Sequence, residues 1–415
     1  MPLSFAGVLV IALVAVAVPV VLSLAPRLPV PGAVLMVLAG ILVGPSVLGW
    51  VHVNAPIQVL SDLGLGMLLF LAGLEIDVDG LRGPLGRLAA RAFGGSVLLA
   101  LACGYLLSLG VDAKPVFLAV VLVSTSAGLL LALLKDGDLH RTPTGQLVMA
   151  AAAVAEIVPV VLLSLLFSAT SKTTGGKLSS LAALLALLVV VGLALGRVRN
   201  LAALDRVLDR LEDRSAQLRV RAALTLSLAF AWLAGQFGFA AILGAFAAGL
   251  LVRTIELNNR TPHPHFQVKL EGIGFGFLVP IFFITTGIQF DVKALVHHPA
   301  AVAEVPLFLL ALLLVHAVPA LGYVRLIGRR RAAAAGLLQA TNLTFVIVAT
   351  ELGIASGKIS QATGAALLVA GLLSASIFPA LAVRLLPAET ADPVSIQPII
   401  SSQDSTENNS AASDE

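Results

Sequence analysis

The chain has 415 residues, of which 58% are hydrophobic and only 12% charged, and its formal net charge is +3. This composition excludes a soluble globule of such length and points to an all-α polytopic membrane protein, so the small positive charge is no nucleic-acid signal. A single cysteine, Cys103, excludes an intrachain disulfide and a cysteine-built metal site.

In chain order, the first apolar window long enough to cross a bilayer is Phe5 to Leu24. It lacks a basic leader and its apolar part is long, so it reads as a retained span. Val30 to Leu48, Ile57 to Leu74 and Leu88 to Leu109 follow. Pro115 to Leu134 carries Ser124, Thr125, Ser126 and Gly128 near its middle, where polar groups can take over backbone partners freed by a break in the helix. Gln146 to Phe167 holds one carboxylate, Glu156, close to mid-membrane. An ionisable group there costs at least about 2.5 kcal/mol and is kept where it faces a protein interior or a water-filled path.

Leu178 to Leu195 is the next window. Arg199 to Arg221 has leucines and valines on one side and Asp/Arg pairs on the other, and reads as an amphipathic helix on the cytoplasmic membrane face or as a solvated connector. Ala222 to Phe237, Phe239 to Val252 and Gly272 to Ile288 precede Ala300 to Tyr323, which carries a buried histidine, His316. Ala332 to Leu352 has a second polar run, Gln339 to Thr344, including Asn342, and Thr363 to Leu386 closes the series at about thirteen spans. The composition then turns polar and acidic, which predicts a disordered tail over 387–415. Residues 1–386 form one transmembrane domain: a first half 1–168, a linking span and amphipathic helix 178–221, and a second half 222–386.

Basic residues fix the expected orientation. With the N-terminus outside, the inward loops collect most of them, among them Arg82, Arg87, Arg91, Lys135, Arg253, Lys269 and Arg329 to Arg331, while the outward loops keep Lys114, Lys172, Lys177, Lys293 and Lys358. The C-terminus is then cytoplasmic in a multi-pass protein of the cell membrane.

One interrupted span falls in each half, the sequence pointer to two inverted repeats with crossed discontinuous helices and a site near the midplane. Each broken helix presents a positive and a negative dipole end at the crossing, and Glu156 and His316 have the signs to neutralise them. Asp62, Glu75, Glu304 and Glu351 lie near predicted span ends, where interfacial water is within reach, and rank below Glu156. No HExxH zinc signature is present, which argues against an intramembrane enzyme.

The runs GILVGPSVLG from Gly40, LGLGMLLFLAGLEID from Leu63, VSTSAG from Val123, GQLVMAAAAVAEIVPVVLL from Gly145, GAFAAGLLV from Gly244 and PIFFITTGIQFDV from Pro280 together resemble the monovalent cation:proton antiporter family 2, the branch with Kef-type potassium efflux systems and bacterial sodium/proton exchangers. The resemblance implies a core domain with two crossing broken helices, here at Ser124 to Ser126 and Asn342 to Thr344, that moves against a dimerisation domain in a homodimer. It implies exchange of Na+ or K+ for H+, without a cofactor. The family's ion-binding aspartate falls on Glu156, with Ser124, Thr125 and Ser126 beside the ion or proton. Support of the broken helices falls on His316, Asn342 and Thr344. Two departures stand out: glutamate replaces the usual aspartate, and His316 takes the place of a lysine that many members carry. Kef systems also have a cytoplasmic nucleotide-binding domain; the short tail here does not imply that form of gating. A lone exchanging carboxylate implies one cation against one proton, hence electroneutral transport. The alternatives are a channel-like cation pathway and a sodium-coupled solute symporter.

Overall fold

A computed structural model of the chain describes residues 5–24, 30–76, 81–136, 139–140, 142–168, 174–199, 217–257 and 264–386. The first half contains α1 (Ala6–Leu24), α2 (Gly32–Val43), α3 (Ala55–Glu75), α4 (Pro84–Ser108), α5 (Pro115–Val123), α6 (Ala127–Asp136) and α7 (Pro143–Leu166). After α8 (Thr174–Arg199) come α9 (Leu218–Gln236), α10 (Ala241–Leu257), α11 (Pro264–Ile273) and α12 (Val279–Gln289), the last two joined by a π-turn over Gly274–Leu278. A short α13 (Val292–Val296) leads into α14 (Pro299–Ala320), α15 (Val324–Ile327), α16 (Arg329–Gln339), α17 (Thr344–Ala355) and α18 (Gln361–Leu385).

Local chemistry sets these boundaries. Proline opens α4, α5, α7 and α14 in the first turn, where its missing N–H has no intrahelical partner to lose. Asn54, Thr142 and Ser360 cap α3, α7 and α18, their side-chain oxygens accepting from Ile57 N at 3.1 Å, Gly145 N at 3.1 Å and Thr363 N at 3.2 Å.

Among the described residues, 9 helical stretches are long and apolar enough to cross a membrane, and shorter apolar helices occur at Gly32–Val43, Pro115–Leu131 and Gly175–Val191. The all-α polytopic expectation therefore holds, while the exact number thirteen is not established by length. The amphipathic segment expected at Arg199 to Arg221 falls largely on residues 200–216, outside the described residues, as does the tail 387–415.

The helices pack as two bundles. In one, α2, α3, α9, α10 and α12 lie against each other; in the other, α4, α5, α7, α14, α16, α17 and α18 do so. Backbone-to-backbone contact makes the first bundle tight. A Cβ on Gly40 of α2 would meet the carbonyl oxygen of Ile284 of α12, and one on Gly287 would meet that of Val37. Small residues allow this approach, and it is how membrane helices gain packing energy without a hydrophobic drive between them. The second bundle contains both broken helices, α5–α6 and α16–α17.

Candidate ion-binding site

The two breaks cross, and each satisfies the other's backbone. Helix α5 ends at Ser124, whose hydroxyl donates back to the Val121 carbonyl at 2.7 Å. From the second break, Asn342 Nδ2 approaches three acceptors: the carbonyl oxygens of Val121 (2.9 Å) and Ser124 (2.9 Å), and Ser124 Oγ (2.7 Å). In return, Thr125 Oγ1 donates to the Thr341 carbonyl at 3.0 Å, and Ser126 N donates to the same oxygen at 3.2 Å. Ser126 Oγ then accepts from the backbone amides of Leu343 (3.0 Å) and Thr344 (3.1 Å), where α17 begins. Unwound backbone survives in a bilayer only when its polar groups are paired in this way.

His316 on α14 completes the end of α5. The residue is 2% exposed, and Nε2 lies 3.1 Å from the Leu122 carbonyl. A carbonyl only accepts, so Nε2 carries the proton. The contact is with the carbonyl end of α5.

Glu156 stands on α7 at the opposite kind of end. The backbone N–H of Ala127, the first residue of α6, hydrogen-bonds its carboxylate, and Thr125 N reaches the carbonyl of the preceding Ala155 at 3.3 Å. An anion at a helix N-terminus meets both the unpaired amides and the positive end of the dipole. Glu156 is 5% exposed, and its Oε2 has no hydrogen-bond partner among the described residues.

The corresponding place in the second half is held by Ser374 on α18. It is fully buried; its Oγ accepts from Asn342 N at 3.2 Å and donates to the Gly371 carbonyl at 2.8 Å. One repeat thus carries an acid with an open oxygen, and the other a satisfied hydroxyl.

Glu156 lines a cavity of about 490 Å³ between the two bundles. Its other charged residues are Glu75, Lys135 and Glu271, and Leu343 and Thr344 bring the start of α17 to its wall. Sequence reasoning ranked Glu75 with the span-end acids. It does end α3, but its Oε2 is buried with no hydrogen-bond partner among the described residues, beside the first turn of α6. Gly128 makes room for it: a Cβ there would lie 3.3 Å from Glu75 Oε2. The signal was the apolar run from Leu63, which continues unbroken up to Glu75.

The structure brings Glu156 and Thr344 to the same cavity. The hydroxyls of Ser124, Thr125 and Ser126 are instead engaged in the crossing, 0–2% exposed, and these residues are not in the cavity wall. A separate cavity of about 330 Å³ lies farther along α12 and α17, lined by Thr286, Thr350 and Glu351 among others.

Residues 9–386 match the family model described as sodium/hydrogen exchanger, transmembrane. The chain is 29% identical over 391 residues to the putative Na(+)/H(+) antiporter YjbQ of Bacillus subtilis, spanning 90% of this chain and 62% of that protein. It is 30% identical over 275 residues to the Na(+)/H(+)-K(+) antiporter GerN of Bacillus cereus, spanning 65% of this chain and 68% of GerN. The fold resembles that of the sodium proton antiporter MjNhaP1 from Methanocaldococcus jannaschii, with a TM-score of 0.60 at 16% identity, over 91% of this chain and 97% of that one.

Proposed function

Because the chain belongs to the sodium/hydrogen exchanger family, we propose that it exchanges a monovalent cation, Na+, K+ or both, for protons by alternating access, with Glu156 as the exchange site. The observation that carries this reading is the Glu156 carboxylate: buried at the start of α6, with one oxygen unpartnered among the described residues, on the wall of the cavity between the bundles. A carboxylate in that position binds a proton or a cation, not both, so loading one releases the other. The crossing, hydrogen-bonded across its two breaks, is suited to move as a unit past the glycine-packed bundle and turn Glu156 towards the other face.

In this reading His316, Asn342 and Thr344 hold the breaks in place. Ser124, Thr125 and Ser126, whose hydroxyls are engaged in the crossing, set Ala127 against Glu156. One carboxylate cycling between a proton and a monovalent cation makes the exchange electroneutral. The basic residues around α6, α11 and α16 support a cytoplasmic assignment for the Glu156 cavity, with the N-terminus outside and the C-terminus inside. The resemblance to a two-domain antiporter supports a homodimer in the lipid bilayer, which cross-linking in intact membranes checks: monomer alone would count against it.

The test is proton movement in sealed vesicles on addition of Na+ or K+. The parent shows cation-driven proton flux that is indifferent to an imposed potential, since one net charge moved through 100 mV would be worth about 2.3 kcal/mol and would register in the rate. Glu156→Gln keeps the size and polarity of the side chain and abolishes the flux. Full exchange in the Gln variant, or clear acceleration by potential, contradicts the Glu156 site or the one-for-one coupling respectively.

A further inference from the structure

The outer cavity lies on the same track as the Glu156 cavity. Along α12, Val279 and Phe283 line the Glu156 cavity, and Thr286 and Phe290, on the same helix face, line the outer one. Along α17, Thr344 lines the first cavity, and Ile347 and Glu351 the second. At a rise of 1.5 Å per residue, Glu351 is about 10 Å beyond Thr344 on that face. An ion passing from Glu156 to the far side between these two helices meets Glu351 next.

The chemistry of this outer cavity is that of a cation site. Its described lining contains no lysine, arginine or histidine. Glu351 brings a part-buried carboxylate into an apolar bundle, and the contact found for it is a hydrogen bond from Thr286 Oγ1 to Oε1 at 3.3 Å. Thr350, 6% exposed, has a hydroxyl with no partner among the described residues. Gln58 Oε1 accepts from Gln289 Nε2 at 2.8 Å, which places further amide groups at the rim. The other acid in the lining, Asp291, is committed to capping α13 through Ala294 N at 3.0 Å. A carboxyl in an apolar bundle without a basic partner is neutral when protonated and, when ionised, is balanced by a cation; uncommitted hydroxyl and carboxylate oxygens are the hard ligands an alkali cation takes.

We propose that Glu351, with the hydroxyls of Thr286 and Thr350, forms a second monovalent-cation site at the outer end of the track, where the ion is held between Glu156 and the outside. The route rests on the Glu156 reading; the site itself is decided by binding.

The binding test uses the purified full-length chain carrying Glu156→Gln, titrated with NaCl and with KCl against choline chloride, with thermal stabilisation as the readout. The protein keeps a saturable stabilisation by Na+ or K+, and adding Glu351→Gln removes it. No saturable effect in the Glu156→Gln protein overturns the second site. The flux test uses oriented sealed vesicles. Glu351→Gln raises the KM for cation offered from the outer face by roughly tenfold, the loss of a charged ligand, and leaves the inner-face KM at the parent value. Thr286→Val gives the same sidedness with a smaller shift and serves where the Gln variant does not fold. An unchanged outer-face KM, or equal shifts on both faces, overturns the proposal. Exchange that survives Glu156→Gln strikes the Glu156 reading alone.

Discussion

The two repeats answer the same structural problem in different ways. Each breaks a helix near its middle and sets a long helix, α7 or α18, against the break. In the second half the long helix offers Ser374, and its hydroxyl is fully used by Asn342 N and the Gly371 carbonyl. In the first half it offers Glu156, which takes a hydrogen bond from Ala127, lines a cavity, and has an Oε2 without a partner among the described residues. The contrast sets a satisfied hydroxyl against an acid with an oxygen that has no partner among the described residues. A neutral group suffices to hold a break, and a charge kept at that depth fits the exchange role proposed for Glu156.

Giving the first half the residue of the second is the strongest way to break the contrast. Glu156→Ser retains a hydroxyl near Ala127 and removes the charge, so cation-driven proton flux falls to background. Expression and membrane insertion continue, as measured by yield and gel-filtration profile. Flux near the parental level would mean that the two repeats are functionally alike at this position.

Removing the shared support gives a smaller effect of a different kind. Asn342→Ala deletes contacts to Val121 O, Ser124 O and Ser124 Oγ, and lowers stability by about 2–3 kcal/mol, read as a drop in melting temperature in detergent. His316→Ala loses the ring's hydrogen bonds to the backbone at the end of α5, the Leu122 carbonyl among them, and melts between Asn342→Ala and the parent. A melting temperature unchanged in Asn342→Ala would mean that the two breaks do not depend on each other.

The smallest effect is expected at Ser374. Ser374→Ala costs about 1 kcal/mol, since a buried amide and a carbonyl each lose one partner, and cation/proton exchange persists. Loss of exchange in a Ser374→Ala protein of normal stability would give the second half a part in the chemistry and sharpen the comparison in the other direction.

Much of this contrast was legible in the residues. The polar runs at Ser124 to Ser126 and Gln339 to Thr344 sit where the helices stop, because consecutive hydroxyl and amide side chains can replace backbone partners in a medium without water. Glu156 was legible because charge in an apolar run is rare. Less visible was what the three hydroxyls touch. Ser126 Oγ reaches Thr344 N across a sequence separation of 218 residues, and Thr125 reaches Thr341 across 216. Nor was Glu75 assigned to the Glu156 cavity, because hydropathy locates the end of a span without saying which neighbour covers it.

The sequence by itself determined the class of the molecule, the approximate course of its apolar helices, the two breaks and the acid between them, since each follows from local composition and from the cost of polar groups in hydrocarbon. Only the tertiary structure decided which partners those groups take. Glu156 meets Ala127 and an open cavity, His316 meets Leu122, Ser374 answers to Asn342, and Glu351 lies with Thr286 on the track that continues past Thr344. The physical reason is that helical period places a side chain on a face, whereas its partner is set by how helices distant in sequence are stacked.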